Sequence, residues 1–320
     1  MTLRTLGRTD LSVSPLCLGG NVFGWTADET ASFAVLDAYV GGGGNFIDTA
    51  ESYSRWVPGH QGGESEEILG RWMRARGNRD QLVIATKVGA PMGDAPEQKG
   101  LSRRRILDAV EGSLRRLQTD VIDLYQAHFD DHDTPLDETL ATFDELIKAG
   151  KVRHIGASNY TAPRLRAAME TARRLDLRPY ETMQPEYNLM DRDQFEGKLQ
   201  ETCLEYGLGV ITYFSLARGF LSGKYRQGQP LPASDRAAAV ERDYMNPRGY
   251  RVLAELDRVA KQDEASLSQV ALAWVMARPG VTSAIASATS AAQVQELLGA
   301  VRLQLDAESL RRLDEAGRPD

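Results

Sequence analysis

Val121-Ile-Asp-Leu-Tyr-Gln126, then Leu136 to Ala149, then Gly150, then Val152-Arg-His-Ile-Gly-Ala157: this stretch decides the fold. Its first and last pieces are short, apolar-rich runs of strand length. Between them Leu136, Leu140, Phe143 and Ile147 recur at helical spacing, and Gly150 ends the pattern. A helix joining two strands of one sheet makes those strands parallel. Working outward, the same alternation fills the chain. Strands are expected at Leu16–Leu18, Phe46–Ile47, Leu82–Lys87, Val121–Gln126, Val152–Ala157, Thr182–Gln184, Val210–Tyr213 and Thr282–Ala286. Helical stretches include Glu29–Val40 and Arg103–Leu117, with Ser102 and Thr161 as N-caps. The run Gly41 to Gly44 follows a helix and precedes a strand, the reverse of a phosphate cradle, and reads as a helix stop.

Alternating βα units fit either an open doubly wound sheet or a closed barrel. The count of eight strands favours the barrel. The expected fold is therefore α/β, a single (β/α)8 (TIM) barrel domain over residues 1–320. A β-hairpin at the N-terminus (Arg4 to Leu6, a turn at Gly7 to Asp10, Leu11 to Val13) would close its bottom. The longest irregular segments, Trp56–Gly63, Ala90–Gly100 and Gly219–Arg248, each follow a strand and so belong to the C-terminal face, where barrel enzymes keep their chemistry.

Composition excludes several classes. The 320 residues are 42% hydrophobic and 26% charged, enough to build a full core without staples. A net charge of −7 argues against general attraction to nucleic acid or an anionic membrane. Cys17 and Cys203 are too few for a disulfide framework and read as reduced thiols. The stretch Leu11 to Ala27 is interrupted by Ser, Pro and Gly, unlike a secretion signal, so the chain is expected to be soluble, unprocessed and cytoplasmic. Its oligomeric state is not readable.

The chemistry is expected at the strand ends. There is no G-x-G-x-x-G, no Walker A, no H-E-x-x-H and no G-x-S-x-G. The second strand leads into Asp48, with Tyr53 five residues on; the third ends in Lys87; the fourth leads to His128. Each alone reads as a cap, a packed ring or a solvated rim group. Together, at consecutive βα junctions, an acid, a phenol, an amine and an imidazole converge on one barrel mouth. Trp25, Tyr53, Trp56 and Phe129 could line an apolar pocket beside them.

The motifs Asp48-Thr-Ala-Glu-Ser-Tyr53, Ala85-Thr-Lys87-Val, Tyr125-Gln-Ala-His128, Gly150 to Tyr160, Met183-Gln184-Pro-Glu-Tyr-Asn and Ile211 to Tyr225 resemble the aldo-keto reductases, in particular the bacterial branch and the potassium-channel β subunits. The likeness runs from about Leu3 to Val301. It implies NADPH-dependent reduction of aldehydes or ketones, with catalytic Asp48, Tyr53, Lys87 and His128, Tyr53 being the general acid. Lys87 is then expected to lower the phenol's pKa, and Asp48 to hold Lys87 charged. The resemblance assigns the carboxamide to Ser158, Asn159 and Gln184, ring stacking to Tyr213, and the pyrophosphate to the backbone of Phe214, Ser215, Leu216, Ala217, Arg218 and Gly219. Lys224 and Arg236 are assigned to phosphates, Ser287, Thr289, Gln293 and Glu296 to the adenosine end, and Gly20, Asn21 and Asp48 to the cofactor cleft. Many members carry Lys and Arg where this chain has Ser287 and Gln293, and Asn where it has Leu297, so NADPH is expected with NADH left open. No metal is expected.

Two other readings compete. His128-Phe-Asp130-Asp131-His132-Asp133 could ligate the zinc of a barrel hydrolase, although the first strand, Leu16-Cys17-Leu18, lacks the His-x-His such enzymes use. Alternatively, the barrel could hold its cofactor as a slow-turnover regulatory protein.

Overall fold

The computed structural model describes residues 1–318. A short antiparallel hairpin, β1 (Arg4–Thr5) and β2 (Ser12–Val13), precedes eight parallel strands. These are β3 (Leu16–Gly19), β4 (Phe46–Asp48), β5 (Val83–Val88), β6 (Ile122–Ala127), β7 (Val152–Ser158), β8 (Thr182–Gln184), β9 (Gly209–Thr212) and β10 (Val281–Ala286). Each pairs with the next, and β10 returns to β3, so the sheet is a closed barrel with no free edge. Around it run α1 (Glu29–Gly41), α2 (Glu64–Arg76), α3 (Arg103–Leu117), α4 (Leu136–Lys148), α5 (Ala162–Arg174), α6 (Lys198–Tyr206), α7 (Ala237–Tyr244), α8 (Pro247–Gln262), α9 (Leu267–Met276), α10 (Ala291–Gly299) and α11 (Ala307–Ala316). This is the α/β barrel expected from the alternation, and no described helix is long and apolar enough to cross a membrane.

Local chemistry starts and stops these helices. Ser102 accepts from the Arg105 amide at the head of α3, and Ser266 with Gln269 forms a capping box on α9. Thr161 sits at the N-cap of α5 but makes no side-chain capping bond; Pro163 pre-sets the first turn instead. The glycine run does end α1. A β-carbon on Gly44 would fall 2.3 Å from the Tyr39 ring, so only glycine fits that turn. The segment Gly219–Arg248 is less irregular than expected, because it contains α7 and the start of α8. Helix α7 is only eight residues, about two turns, with two buried side chains, and carries too little periodicity to read.

Inside, the barrel has a dry lower layer and a polar upper one. Cys17, Phe46, Val83, Ala85, Leu124, Ile211 and Ile285 form one apolar cluster with Leu6, Leu11 and Val13 of the hairpin. The hairpin therefore closes the bottom as a plug. Its turn seats directly on the strand starts: a β-carbon on Gly7 would lie 2.5 Å from the Gly209 amide nitrogen and 2.7 Å from the Glu181 carbonyl. Above this layer Asp48, Lys87, Gln126 and Gln184 point inward, all buried. Gly156, beside Gln126 in register, leaves room for them; a side chain there would strike Thr182 Oγ1 at 2.0 Å.

Leu11 is 2% exposed between the hairpin and the lower layer. Leu11→Ala is expected to destabilise the protein by about 2–5 kcal/mol, through lost burial and the cavity left behind. Urea unfolding followed by circular dichroism checks this; a loss near zero would mean that the hairpin is not part of the core.

Candidate active site

The last residue of β4, Asp48, begins a loop that the next strand holds down. The Thr49 amide donates to the Ala85 carbonyl at 2.8 Å and the Glu51 amide to the Lys87 carbonyl at 3.3 Å. Alternation along β5 turns Lys87 inward, where it is fully buried. Its ammonium Nζ donates to Asp48 Oδ2 at 2.6 Å, to the Thr49 carbonyl at 3.0 Å and to the Tyr53 hydroxyl at 2.8 Å, which uses all of its protons. The Tyr53 hydroxyl in turn donates to Asp48 Oδ2 at 3.2 Å, and Gln184 Nε2 donates to Asp48 Oδ1 at 2.9 Å. Acid, amine and phenol thus share one hydrogen-bonded centre.

The electrostatics correct one expectation. Burial, and after it the Asp48 carboxylate, push the Tyr53 phenol well above its ordinary value rather than below it. Asp48 neutralises the ammonium that was expected to pull the phenol down. Burial likewise lowers Lys87, against the opposing pull of Asp48. His128 is held well below its ordinary value by burial and by Lys87, so its imidazole is neutral. Its ring stacks on Phe129 with centroids 4.8 Å apart and meets Tyr53 edge-on at 6.1 Å. Its buried Nδ1 has no hydrogen-bond partner among the described residues.

Next to this centre the strand ends form a second network. Asn159, held at φ 59°, donates from Nδ2 to the His128 carbonyl at 2.9 Å and to Ser158 Oγ at 3.1 Å. Its Oδ1 accepts from the Tyr213 hydroxyl at 2.8 Å, while Ser158 Oγ donates to the Gln184 carbonyl at 2.8 Å. Asn21, Asp48, Tyr53, His128, Ser158, Asn159, Gln184, Tyr213, Phe214 and Ser215 all line a cavity of about 360 Å³ at the barrel mouth, with Trp56 and Phe129 on its rim.

A second lobe of about 590 Å³ adjoins it, sharing Leu216, Arg218, Gly219, Arg236 and Ser287. Lys224, Thr289, Gln293 and Glu296 line only this outer lobe. Trp25 also belongs there rather than to the inner pocket expected for it, with the Arg236 guanidinium 5.6 Å over its ring. Among the described residues neither Lys224 nor Arg236 forms an ion pair; burial and then Arg236 lower the Lys224 ammonium, and burial and then Arg218 lower the Arg236 guanidinium against the pull of Tyr225 and Asp235. Asp235 and Glu296 also line this lobe, but neither forms an ion pair with the two cations, which leaves both cations able to take an anion. Between the lobes Ala217, Arg218 and Gly219 are successive left-handed residues, at φ 47°, 55° and 95°.

Three expected site residues line neither lobe. Gly20 packs behind Gly19 against Ser65, Ala217 is buried in its own turn, and Lys87 lies beneath Asp48 and Tyr53. The amides of Ala217 and Gly219 are already bonded, to the Phe214 and Leu216 carbonyls, so the loop has fewer free donors than expected. Gln293 Oε1 is engaged by Thr289, and Glu296 by Ser266 Oγ. Gln126 was missed: its Nε2 lies 3.4 Å from Asp48 Oδ1. Its two-residue offset from inward Leu124 was the available signal.

The acidic loop after β6 has other work. Asp130 is bound by Arg164 and His132, and Asp131 accepts from the Leu101 amide and Thr134. No group of three His, Cys, Asp or Glu side chains among the described residues is arranged to hold a metal.

The sequence profile of the aldo/keto reductase family matches residues 15–318. An uncharacterized oxidoreductase of Bacillus subtilis (strain 168), YrpG, is 36% identical over 316 residues, covering 97% of this chain and 94% of that protein. Probable voltage-gated potassium channel β subunits are similar too: that of Oryza sativa subsp. japonica is 36% identical over 94% of this chain and 91% of its own, and that of Arabidopsis thaliana 34% over the same shares. With a family match spanning nearly the whole barrel, and the acid, phenol and amine meeting at its mouth, the chain belongs to the aldo/keto reductase family.

Proposed function

We propose that the protein is an NADPH-dependent oxidoreductase that reduces aldehydes or ketones to alcohols, with Tyr53 as the general acid. One observation carries this reading: the Lys87 ammonium touches Asp48 and Tyr53 at once, at the floor of a cavity whose outer lobe holds two cations that form no ion pair among the described residues.

The residues present fit a dinucleotide. Ser158, Asn159 and Gln184 offer amide and hydroxyl groups for a carboxamide, Tyr213 a flat ring for stacking, and Lys224 and Arg236 unpaired charge for phosphate. When bound, the reduced nicotinamide supplies the hydride for the carbonyl carbon. The chain's own task is the oxygen. A carbonyl oxygen gaining negative charge needs donors placed in advance and, finally, a proton. Tyr53 is held in its neutral, proton-bearing form by burial and Asp48, so the donor is loaded at neutral pH. When its proton leaves, the phenolate is 2.8 Å from Nζ, and the ammonium stabilises it. Lys87 therefore acts on the deprotonated product of the transfer rather than on the resting phenol. Neutral His128 has one N–H to orient the carbonyl oxygen. Trp56 and Phe129, 50% and 46% exposed beside Tyr53, give the entrance an apolar rim.

Tyr53→Phe keeps the ring and removes the proton. Turnover of an activated aldehyde is expected to fall by roughly 10²–10⁴-fold with NADPH affinity, read by fluorescence titration, unchanged. Near-normal turnover would reassign the acid to His128 or to water.

Lys224→Ala is expected to weaken NADPH binding by about tenfold or more while changing NADH binding much less, since a charge-assisted phosphate contact is lost. Equal losses for both cofactors would place Lys224 away from the 2′-phosphate.

The acid must be protonated to act, and Tyr53 is raised. The kcat profile for reduction is therefore expected to stay flat from roughly pH 6 to pH 9 and to decline only above that range. A rate decline centred near pH 7 would show that another group supplies the proton.

A further inference from the structure

Glu51 lies two residues before Tyr53, buried, on the loop that carries the phenol. It grips the end of β5 with both its main chain and its side chain. Its amide donates to the Lys87 carbonyl at 3.3 Å, and its Oε1 accepts from the Gly89 amide at 3.2 Å. The same oxygen accepts from Arg105 Nη2 of α3, and the two side chains are only 3% and 8% exposed. Behind them a second ion pair holds the strand itself. Glu66 of α2, fully buried, accepts from Arg116 Nε at 2.7 Å and from Thr86 Oγ1 at 2.5 Å. Thr86 is the outward-facing neighbour of Lys87.

Such a quartet is a poor source of stability. Buried ion pairs repay their desolvation only when every remaining donor and acceptor is satisfied, and apolar residues of equal volume often serve as well or better. Here Arg105 Nε and the Tyr125 hydroxyl, both buried in this cluster, have no hydrogen-bond partner among the described residues. Burial also pushes the Glu51 carboxyl above its usual range against the pull of Arg105. What directional bonds do supply is position, and a reacting geometry displaced by about 1 Å can cost roughly 10²-fold in rate.

We infer that Glu51, through its ion pair with Arg105 and its bonds to the end of β5, is a positioning residue that sets the Tyr53 hydroxyl against the Lys87 ammonium. This rests on the reading of Tyr53 as the proton donor. The competing role is a filler between helix layer and barrel, which apolar side chains would perform equally.

The test is the full-length double variant Glu51→Leu/Arg105→Met, assayed with NADPH and a small aldehyde. Positioning predicts a urea midpoint at or above that of the parent, NADPH affinity and KM within about threefold, and kcat lower by roughly 10–100-fold. A kcat within about twofold of the parent overturns the inference. So does a kcat loss matched by losses of stability and cofactor affinity. If the double variant does not fold, Glu51→Gln decides. It keeps an acceptor for Gly89 and Arg105, so it should fold, bind NADPH normally and retain more turnover than Glu51→Ala; equal rates for the two overturn the role. Tyr53→Phe is run beside them. An active Tyr53→Phe rejects the proton-donor reading itself, whereas an inactive Tyr53→Phe with a fully active double variant rejects only the role of Glu51.

Discussion

One ammonium group organises the upper half of this barrel. Lys87 Nζ has no contact with solvent, and an unpaired cation there would be strongly disfavoured. Every proton on it is therefore matched by an oxygen, and each of those oxygens belongs to a different part of the preceding βα unit: the end of β4, the carbonyl after it, and the phenol five residues on. Asp48 in turn requires Gln184, which reaches it from the far side of the barrel. The polar layer is thus a chain of obligations that begins with one buried charge. It also explains why Tyr53 stays protonated although an ammonium touches it: burial disfavours the phenolate first, and the carboxylate that keeps Lys87 in place adds to that.

Much of this was legible in the chain. Strands of three to seven residues with amphipathic helices between them specify a closed parallel sheet once there are eight, and a polar residue at three consecutive strand ends marks the working face. Asp48, Tyr53, Lys87 and His128 could be picked out because their types are unusual at the ends of apolar runs. Other features resisted. Helix α7 spans only Ala237–Tyr244 and its burial rests on Val240 and Tyr244, so its pattern is shorter than the window that reveals a helix. Trp25 precedes α1 in sequence as any pocket aromatic might, and only the path of the loop bearing Arg236 decides which lobe it faces. The direction of the Tyr53 shift depends on the balance between burial, carboxylate and ammonium, and spacing along a chain says nothing about that balance.

The outer surface of β5 shows how the buried lysine of the candidate site is held from behind. Lys87 faces in; Thr86 and the carboxylates of Glu51 and Glu66 lie on the other side of the strand, among helices α2 and α3. Barrel enzymes are usually described from their mouths. In this one the helix layer contributes charges that never meet the cavity yet border both the strand of the amine and the loop of the phenol.

The plug at the bottom has a consequence for the order of assembly. Arg4 Nη1 reaches the carbonyls of Met276, Val281 and Thr282, partners 272 to 278 positions away. The hairpin is synthesised well before its seat and is thus among the last segments to find its place, because that seat is built by strands β9 and β10. Contacts this distant are slow to form and leave apolar Leu6, Leu11 and Val13 exposed in the meantime. During synthesis this sticky hairpin waits unseated while the rest of the barrel is made, and a chaperone that shields it over that interval would favour folded protein.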